Sequence, residues 1–258
     1  MFKTVVVIFF TFMSFLAQSE DFSEFKGREL TFFEEEKITE NLMDWVKAHH
    51  VKAAKKLLPN EYSAMKAYGR VDHDVINTFV RAGEPTDFST PWIYESVKGK
   101  VDSLRGALNK LPNYRGTVYR GSSIKDSLLE KLNVGDILHE KAFLSTSTNS
   151  SFARNFSASA TNEEVSLSAA QFKIDLKSSG RAINNYTFKP DEAEILVKPN
   201  TYFQVEAIER HSIEYNFIKL KEIKNPGRHL SIEPDVVIYD SFSGDEISLR
   251  ARSSLFCI

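Results

Sequence analysis

Apolar residues recur at helical spacing through the first part of the chain. Between Phe32 and Leu111 they return every three or four positions, which is the pattern of amphipathic helices with one buried face. Three acidic residues at positions 34–36 favour a helix N-terminus there. Pro59-Asn60 breaks the pattern, and residues 83–87 (Gly-Glu-Pro-Thr-Asp) predict a loop. The helices predicted after the break are 61–68, 74–81 and 93–111.

The pattern changes near Pro112-Asn113, where apolar and polar residues begin to alternate. Alternation with a period of two is typical of half-buried antiparallel strands. Helices followed by strands favour an α+β fold, with a helical part to about residue 112 and a β core over about 115–223. The predicted strands are 116–120, 137–145, 165–174, 193–197, 202–208 and 215–222, with one more at 235–239 in a C-terminal stretch of open role.

The first 19 residues have the pattern of a secretory signal peptide. Lys3 supplies the positive start, residues 4–16 are almost wholly apolar, and Ala17-Gln18-Ser19 places small residues where a signal peptidase cuts. The alternative is an uncleaved membrane anchor, but the apolar run is shorter than the ~20 residues that a spanning helix needs. We therefore expect cleavage before Glu20 and a secreted, soluble chain with no stable membrane span.

Charge and cysteine content narrow the classes of partner. The net charge of −2 becomes −3 once Lys3 is removed, so bulk binding to nucleic acid or anionic lipid is not expected. Cys257 is the only cysteine, so it either pairs between chains or is a buried or frayed terminal residue; we expect a monomer. No metal site is expected, because the adjacent His49 and His50 face different directions on a helix and no cysteine partners them.

Arg120 belongs to the first of three short motifs, each of which touches a predicted strand. In Tyr119-Arg120-Gly121 the arginine ends a strand beside small residues. From there its planar fork of donors can reach a pyrophosphate, and the glycine lets a ligand approach the backbone closely. The alternative is a surface arginine in a salt bridge.

The second and third motifs supply hydroxyls and carboxylates. Ser145-Thr146-Ser147 closes an apolar strand with hydroxyls that can hold a carboxylate in one rotamer, although Ser and Thr also end strands for purely local reasons. Glu192 and Glu194 are two positions apart, so on a strand both would project to the same face and repel each other. The alternative for this pair is a solvated acidic edge.

The three motifs together fit cleavage of the bond between nicotinamide and ribose in NAD. That cleavage builds positive charge on the sugar, as in glycoside cleavage through an oxocarbenium-like transition state. A fixed carboxylate beside the ribose stabilises this charge. One arginine would hold the diphosphate, one hydroxyl would orient the carboxylate, and a second carboxylate would bind the incoming nucleophile.

With these motifs the chain resembles the arginine–serine–glutamate class of mono-ADP-ribosyltransferase toxins, and especially small secreted members without a delivery domain. The resemblance covers about residues 55–222 and includes Leu58–Ala64, Tyr68-Gly69 and Ile76-Asn77 ahead of the core. It implies a helical lobe packed on two mainly antiparallel β-sheets with NAD in a central cleft. The catalytic domain would then span 20–223, followed by a C-terminal extension over 224–258.

The resemblance also implies a role for each matching residue. Arg120 would grip the phosphates of NAD, Ser145 would orient Glu194, and Glu194 would be the catalytic carboxylate. The further cofactor contacts would be Tyr119, Gly121, Thr146, Ser147 and Phe156, with Phe152 as the competing aromatic ring against nicotinamide and core packing as the alternative for both rings.

Glu192 indicates which kind of side chain accepts the ADP-ribose. In this family a glutamate two positions before the catalytic one accompanies arginine modification, and a carboxylate matches the donor fork of a guanidinium. Residues 180–191 lie where the family has its substrate-recognition loop. In this loop Tyr186 and Phe188 would either contact the target protein or pack the loop onto the domain.

We therefore expect a toxin-like NAD⁺–protein-arginine ADP-ribosyltransferase that acts on a host protein and contributes to virulence. An NAD glycohydrolase, which gives ADP-ribose to water, is one alternative, but water needs no guanidinium clamp such as Glu192. A non-catalytic NAD-binding module on the same fold is the other. The joint presence of Arg120, Ser145 and Glu194 argues against it.

Overall fold

The computed structural model describes Phe22 and residues 30–158, 166–210, 215–227 and 236–247. Three features of the sequence analysis lie outside these residues: the predicted signal peptide, its cleavage position before Glu20, and Cys257. Within the described ranges, no helix is both long and apolar enough to cross a membrane.

Helices fill the described chain up to residue 110, as the sequence predicts. The first begins after Thr31, whose backbone N–H donates to the carboxylate of Glu34 at 2.8 Å, so the acidic start of the helix also caps it. Pro59 begins the second helix, where its missing N–H would have no helical partner anyway. The elements are α1 (Phe32–Ala54), α2 (Pro59–Ala67), a π-helical turn (Tyr68–Asp72), α3 (His73–Arg81) and α4 (Pro91–Lys110).

The rest of the described chain forms mainly strands. Most predicted strands are found within a few residues of their expected bounds, although β4 extends well beyond the predicted 165–174. The strands are β1 (Tyr114–Lys125), β2 (Ile137–Glu140), β3 (Leu144–Ser147), β4 (Leu167–Ala182), β5 (Glu194–Val197), β6 (Thr201–Glu209), β7 (Asn216–Ile223) and β8 (Ile238–Asp240), with the helices α5 (Asp126–Lys131) and α6 (Ser150–Ala158) between them.

The predicted strand 137–145 is wrong as a single element, because residues 141–143 separate β2 from β3. The carboxylate of Glu140 accepts the N–H of Ala142 at 3.0 Å. The amide oxygen of Asn77 accepts the N–H of Phe143 at 3.2 Å. Side chains thus take the backbone donors that a neighbouring strand would otherwise use.

Arg120 also lies differently from the prediction. Strand β1 continues to Lys125, so Arg120 is in the middle of a strand instead of at its end. The added length of β1 comes from its pairing with β4, which runs in register from Gly116 opposite Leu176 to Lys125 opposite Leu167. Long-range pairing has extended a segment that looks short when it is judged from local sequence.

The strands form a connected network in the order β1-β3-β5-β4-β7-β6-β2-β8, and β1 also pairs with β4. The β4–β7 and β2–β8 pairs are parallel, while the others are antiparallel. The two expected sheets are joined through β4. Its first part pairs with β1 and β7, and its last residues pair with β5.

Strand β5 lies between two hydrophobic cores. Ile195 and Val197 belong to the core of the β-sheet, whereas Leu196 belongs to the core enclosed by α2, α3 and α4. Because side chains alternate along a strand, Glu194 lies on the same face as Leu196. The first residue of β5 therefore projects toward the helical lobe, where the two parts of the fold meet.

Candidate active site

Glu194 is buried, with 4% of its surface exposed. It receives a hydrogen bond at 2.7 Å from the hydroxyl of Ser145 to its Oε1. The contact follows from register, since Ser145 pairs with Leu196 on the neighbouring strand, and Glu194 is two residues before Leu196 on the same face. Burial raises the pKa of Glu194 to about 7, and the hydrogen bond from Ser145 opposes this rise.

Arg120, on β1, also contacts Ser145. Its Nη1 donates to the backbone carbonyl of Ser145 at 2.8 Å, and its Nη2 lies 3.4 Å from the hydroxyl of Ser122. Burial lowers the pKa of this guanidinium, while the negative charge of Glu140 opposes the effect. The structure thus brings together Arg120, Ser145 and Glu194, with Ser145 in contact with both charged groups.

A second arginine and a buried carboxylate lie beside Arg120, and the sequence analysis missed both. Nη2 of Arg81, in the last turn of α3, is 3.7 Å from Oε1 of Glu140. The charge of Glu140 raises the pKa of Arg120, and the charge of Arg81 lowers it. Glu194 is the second carboxylate whose charge acts on Arg120, and the two guanidinium groups offer the forked donors that suit a diphosphate. Their positions in sequence are far apart, so only the tertiary fold reveals the cluster.

The π-helical turn provides one wall of the site through Gly69. A Cβ at this residue would lie 2.7 Å from Cγ2 of Thr187 and 3.7 Å from Oε2 of Glu194. The absence of a side chain thus allows the backbone to pack closely against the carboxylate of Glu194 and the loop that contains Thr187. The hydroxyl of Tyr68 accepts a hydrogen bond at 3.1 Å from Asn77, which holds this turn against α3.

Glu192 does not share a strand with Glu194, and the predicted strand arrangement is wrong here. Glu192 ends a short 3₁₀-helix (Pro190–Glu192), and Ala193 has left-handed backbone angles of φ 47° and ψ 48°. The carboxylate of Glu192 is partly exposed and accepts a hydrogen bond at 2.9 Å from Nζ of Lys189. Its charge still raises the pKa of Glu194, so the two carboxylates remain close.

The other two hydroxyls of the motif, on Thr146 and Ser147, lie on opposite faces of β3. Thr146 lies on the face opposite Ser145, and its hydroxyl donates to the carbonyl of Ile195 at 2.6 Å. The hydroxyl of Ser147 donates to the carbonyl of Glu192 at 2.6 Å. Both are buried, so they fix the backbone around the two glutamates, and the cofactor contact expected of Thr146 is not supported.

Tyr119 and Gly121 lie on the face of β1 that helix α6 covers. A Cβ at Gly121 would be only 1.7 Å from the carbonyl oxygen of Ala153, so helix packing already requires a glycine here, and the contact of its backbone with the cofactor stays a prediction. Tyr119 packs against the cluster that contains Ala153 and Phe217. Arg120 points to the other face of the strand.

The predicted aromatic residues have different surroundings. Phe156 on α6 is 55% exposed, which excludes core packing for its ring, whereas Phe152 is half-buried. Tyr186 is 7% exposed and its hydroxyl lies 3.2 Å from Nδ1 of His50. Tyr186 therefore packs the loop onto α1 and is not free to contact a target protein, which corrects one of the two possibilities.

Phe188 is the exposed aromatic residue of the same loop. It is 52% exposed, with Nζ of Lys66 at 4.2 Å from its ring centroid and the guanidinium of Arg70 at 5.4 Å. These cations come from α2 and the π-helical turn, so Phe188 lies against these two elements with half of its surface exposed. Within the described residues, no group of three or more His, Cys, Asp or Glu side chains is arranged to hold a metal ion.

Comparison with known proteins agrees with this geometry. The family model for the ADP-ribosyltransferase exoenzymes matches residues 43–225. Vis of Vibrio splendidus (strain 12B01), which is named "Putative NAD(+)--arginine ADP-ribosyltransferase Vis", is 32% identical over 247 residues, or 95% of each chain. The chain belongs to the ADP-ribosyltransferase exoenzyme family.

Solved structures of family members share this fold. The crystal structure of Vis in complex with agmatine superposes with a TM-score of 0.76 at 30% identity, covering 88% of this chain and 100% of Vis. The ADP-ribosyltransferase HopU1 of Pseudomonas syringae has a TM-score of 0.54 at 21% identity, covering 74% of this chain and 88% of HopU1. The exoenzyme fold of this chain therefore extends through most of the described residues, and HopU1 supports the fold alone.

Proposed function

We propose that this exoenzyme transfers ADP-ribose from NAD⁺ to an arginine side chain of a host protein and releases nicotinamide. The observation that carries the proposal is the hydrogen bond between Ser145 and Glu194, with the guanidinium of Arg120 bound to the same serine. This arrangement supplies a cation for the diphosphate and a fixed carboxylate for the ribose. The name of the relative Vis and its complex with agmatine, a guanidinium compound, support arginine as the acceptor.

The chemistry assigned to the glutamates follows from their surroundings. As the bond between C1′ of the ribose and the nicotinamide nitrogen breaks, positive charge develops on the sugar, and ionised Glu194 stabilises it from a site shielded from water. A guanidinium nitrogen of the acceptor then bonds to C1′ and loses a proton. The partly exposed Glu192 is suited to orient that guanidinium and to accept the proton.

The decisive experiment uses protein from Glu20 onward with NAD⁺ and agmatine, followed by mass spectrometry of nicotinamide and ADP-ribosylagmatine. We expect the adduct from the wild type, no turnover from Glu194→Ala, and nicotinamide release without adduct from Glu192→Ala. Asp191→Ala is the matched control, because Asp191 is an exposed neighbouring acid. Nicotinamide release without adduct by the wild type would instead indicate a glycohydrolase, and NAD binding without turnover a non-catalytic module.

The route of export belongs to the same proposal. The N-terminal pattern supports a signal peptide cut before Glu20, and a monomer would need no partner chain to complete the site. Expression of the full chain in a secreting bacterium, followed by N-terminal sequencing of the protein in the medium, tests the first point. A chain that stays in the membrane fraction with Met1 intact would contradict it.

A further inference from the structure

The C-terminal segment 236–247 is built into the β core. Strand β8 pairs in parallel with β2, from Ile238 opposite Ile137 to Asp240 opposite His139, and Tyr239 is buried in the core. The carboxylate of Asp240 accepts the N–H groups of Phe242 and Ser243 at 3.0 and 2.8 Å. These contacts fix the turn that follows β8.

The fixed turn contacts the arginine and the carboxylate that lie beside Arg120. The guanidinium carbon of Arg81 lies 4.3 Å from the ring centroid of Phe242, within the range of a cation–π contact. The hydroxyl of Ser241 donates to Oε2 of Glu140 at 2.8 Å. Two consecutive residues of the C-terminal segment thus contact both members of the ion pair.

The contacts leave Arg81 and Glu140 as an ion pair without a close direct hydrogen bond. Oε1 of Glu140 accepts the N–H of Ala142 and its Oε2 accepts the hydroxyl of Ser241, so both carboxylate oxygens already have neutral donors. The guanidinium of Arg81 stays 3.7 Å from Oε1, beyond the distance of a good hydrogen bond. Its Nε is buried and has no hydrogen-bond partner among the described residues.

We propose that Ser241 and Phe242 are positioning residues for the diphosphate of NAD⁺. Phe242 holds the guanidinium of Arg81 in place, and Ser241 fixes the carboxylate of Glu140 that pairs with it, so that the guanidinium groups of Arg81 and Arg120 are held side by side where the two phosphates would bind. The C-terminal segment therefore controls affinity for NAD⁺, while the bond cleavage depends on Glu194. This inference rests on the proposed function, because it assigns the diphosphate to this cluster.

Steady-state kinetics with NAD⁺ and agmatine test the inference. Phe242→Leu keeps an apolar side chain but removes the ring, and we expect the KM for NAD⁺ to rise about two- to fivefold, the effect of losing one exposed cation–π contact, with kcat unchanged. Phe242→Tyr should restore the wild-type KM. Ser241→Ala should also raise the KM, whereas Ser243→Ala, in the same turn but bonded to the N–H of Asp245, should not.

Direct binding separates this inference from the proposed function. The NAD⁺ dissociation constant is measured by calorimetry in the Glu194→Gln background, where turnover is not needed. Weaker binding in the Phe242→Leu and Ser241→Ala variants supports the inference even if the wild type modifies no arginine. Unchanged affinity in both would overturn it, as would a fall in kcat and thermal stability that Phe242→Tyr fails to restore, because the segment would then be merely structural.

Discussion

Replacement of Glu194 by glutamine should stabilise this protein at alkaline pH, although it removes the carboxylate to which we assign catalysis. Burial raises the pKa of Glu194 from its ordinary value of 4.5 to about 7 in the folded chain. At about 1.4 kcal/mol for each pKa unit, the difference corresponds to about 3 kcal/mol of folding free energy that the ionised group costs. Glutamine keeps the shape and can still accept the hydrogen bond from Ser145, but it carries no charge.

The sign of the effect depends on pH. Below pH 4.5 the carboxyl group is neutral in both the folded and the unfolded chain, so it adds no cost. Between pH 4.5 and about 7 the unfolded chain releases its proton first, and the wild type loses stability as the pH rises. The advantage of Glu194→Gln should therefore be small at pH 4.5 and complete above pH 7, where a difference of about 3 kcal/mol would raise Tm by about 6–12 °C in a chain of this size.

Urea unfolding of the wild type and Glu194→Gln at half-unit intervals from pH 4.5 to 8.5, without NAD⁺, measures this difference. Glu61→Gln is the matched control, because Glu61 is equally buried at 4% exposure. Burial alone would raise the pKa of Glu61, but the hydrogen bonds and charge of Lys110 lower it overall, so its replacement should destabilise at neutral pH. A stability difference for Glu194→Gln that stays constant with pH would refute the reasoning.

Two further substitutions test particular contacts. Lys189→Ala removes the cation that pairs with Glu192, and we expect the KM for agmatine to fall about 1.5- to fivefold, the range for an exposed ion pair. Lys189→Arg and the rate of NAD hydrolysis are the controls. An unchanged KM would show that the ion pair does not compete with the acceptor. Gly121→Ala should cost about 1–3 kcal/mol or more, because its Cβ would meet the Ala153 carbonyl. Gly99→Ala, in α4 with open space around it, should gain up to about 1 kcal/mol. Equal unfolding midpoints for the two glycine variants would contradict the packing argument.

The predicted and the missed parts of the site differ in how their residues are brought together. Ser145 and Glu194 were predicted from motifs that lie on short strands, and antiparallel pairing of β3 with β5 is enough to join them. Arg81 and Glu140 were missed, since neither stands in a motif and each looks like an ordinary charge at the end of an element. Their meeting depends on α3 packing beside the segment that links β2 to β3, where Asn77 accepts the N–H of Phe143, and local sequence does not specify this packing.

Glu192 and Glu194 are close together, as predicted, but not because they share one face of a strand. Two residues of one face on a strand would both be buried, and their charges would repel across a fixed short distance. In the structure the left-handed Ala193 turns the chain between them, so that Glu194 enters β5 and is buried while Glu192 stays at the partly exposed end of the loop. The separation suits the proposed reaction, in which Glu194 would stabilise the ribose cation in a water-poor site and Glu192 would bind the arginine of the acceptor. Because an alanine with positive φ is uncommon, it takes the surrounding contacts, including the hydroxyl of Ser147 on the Glu192 carbonyl, to hold the turn. The motif as read from the sequence contains both carboxylates but not the turn that assigns them different tasks.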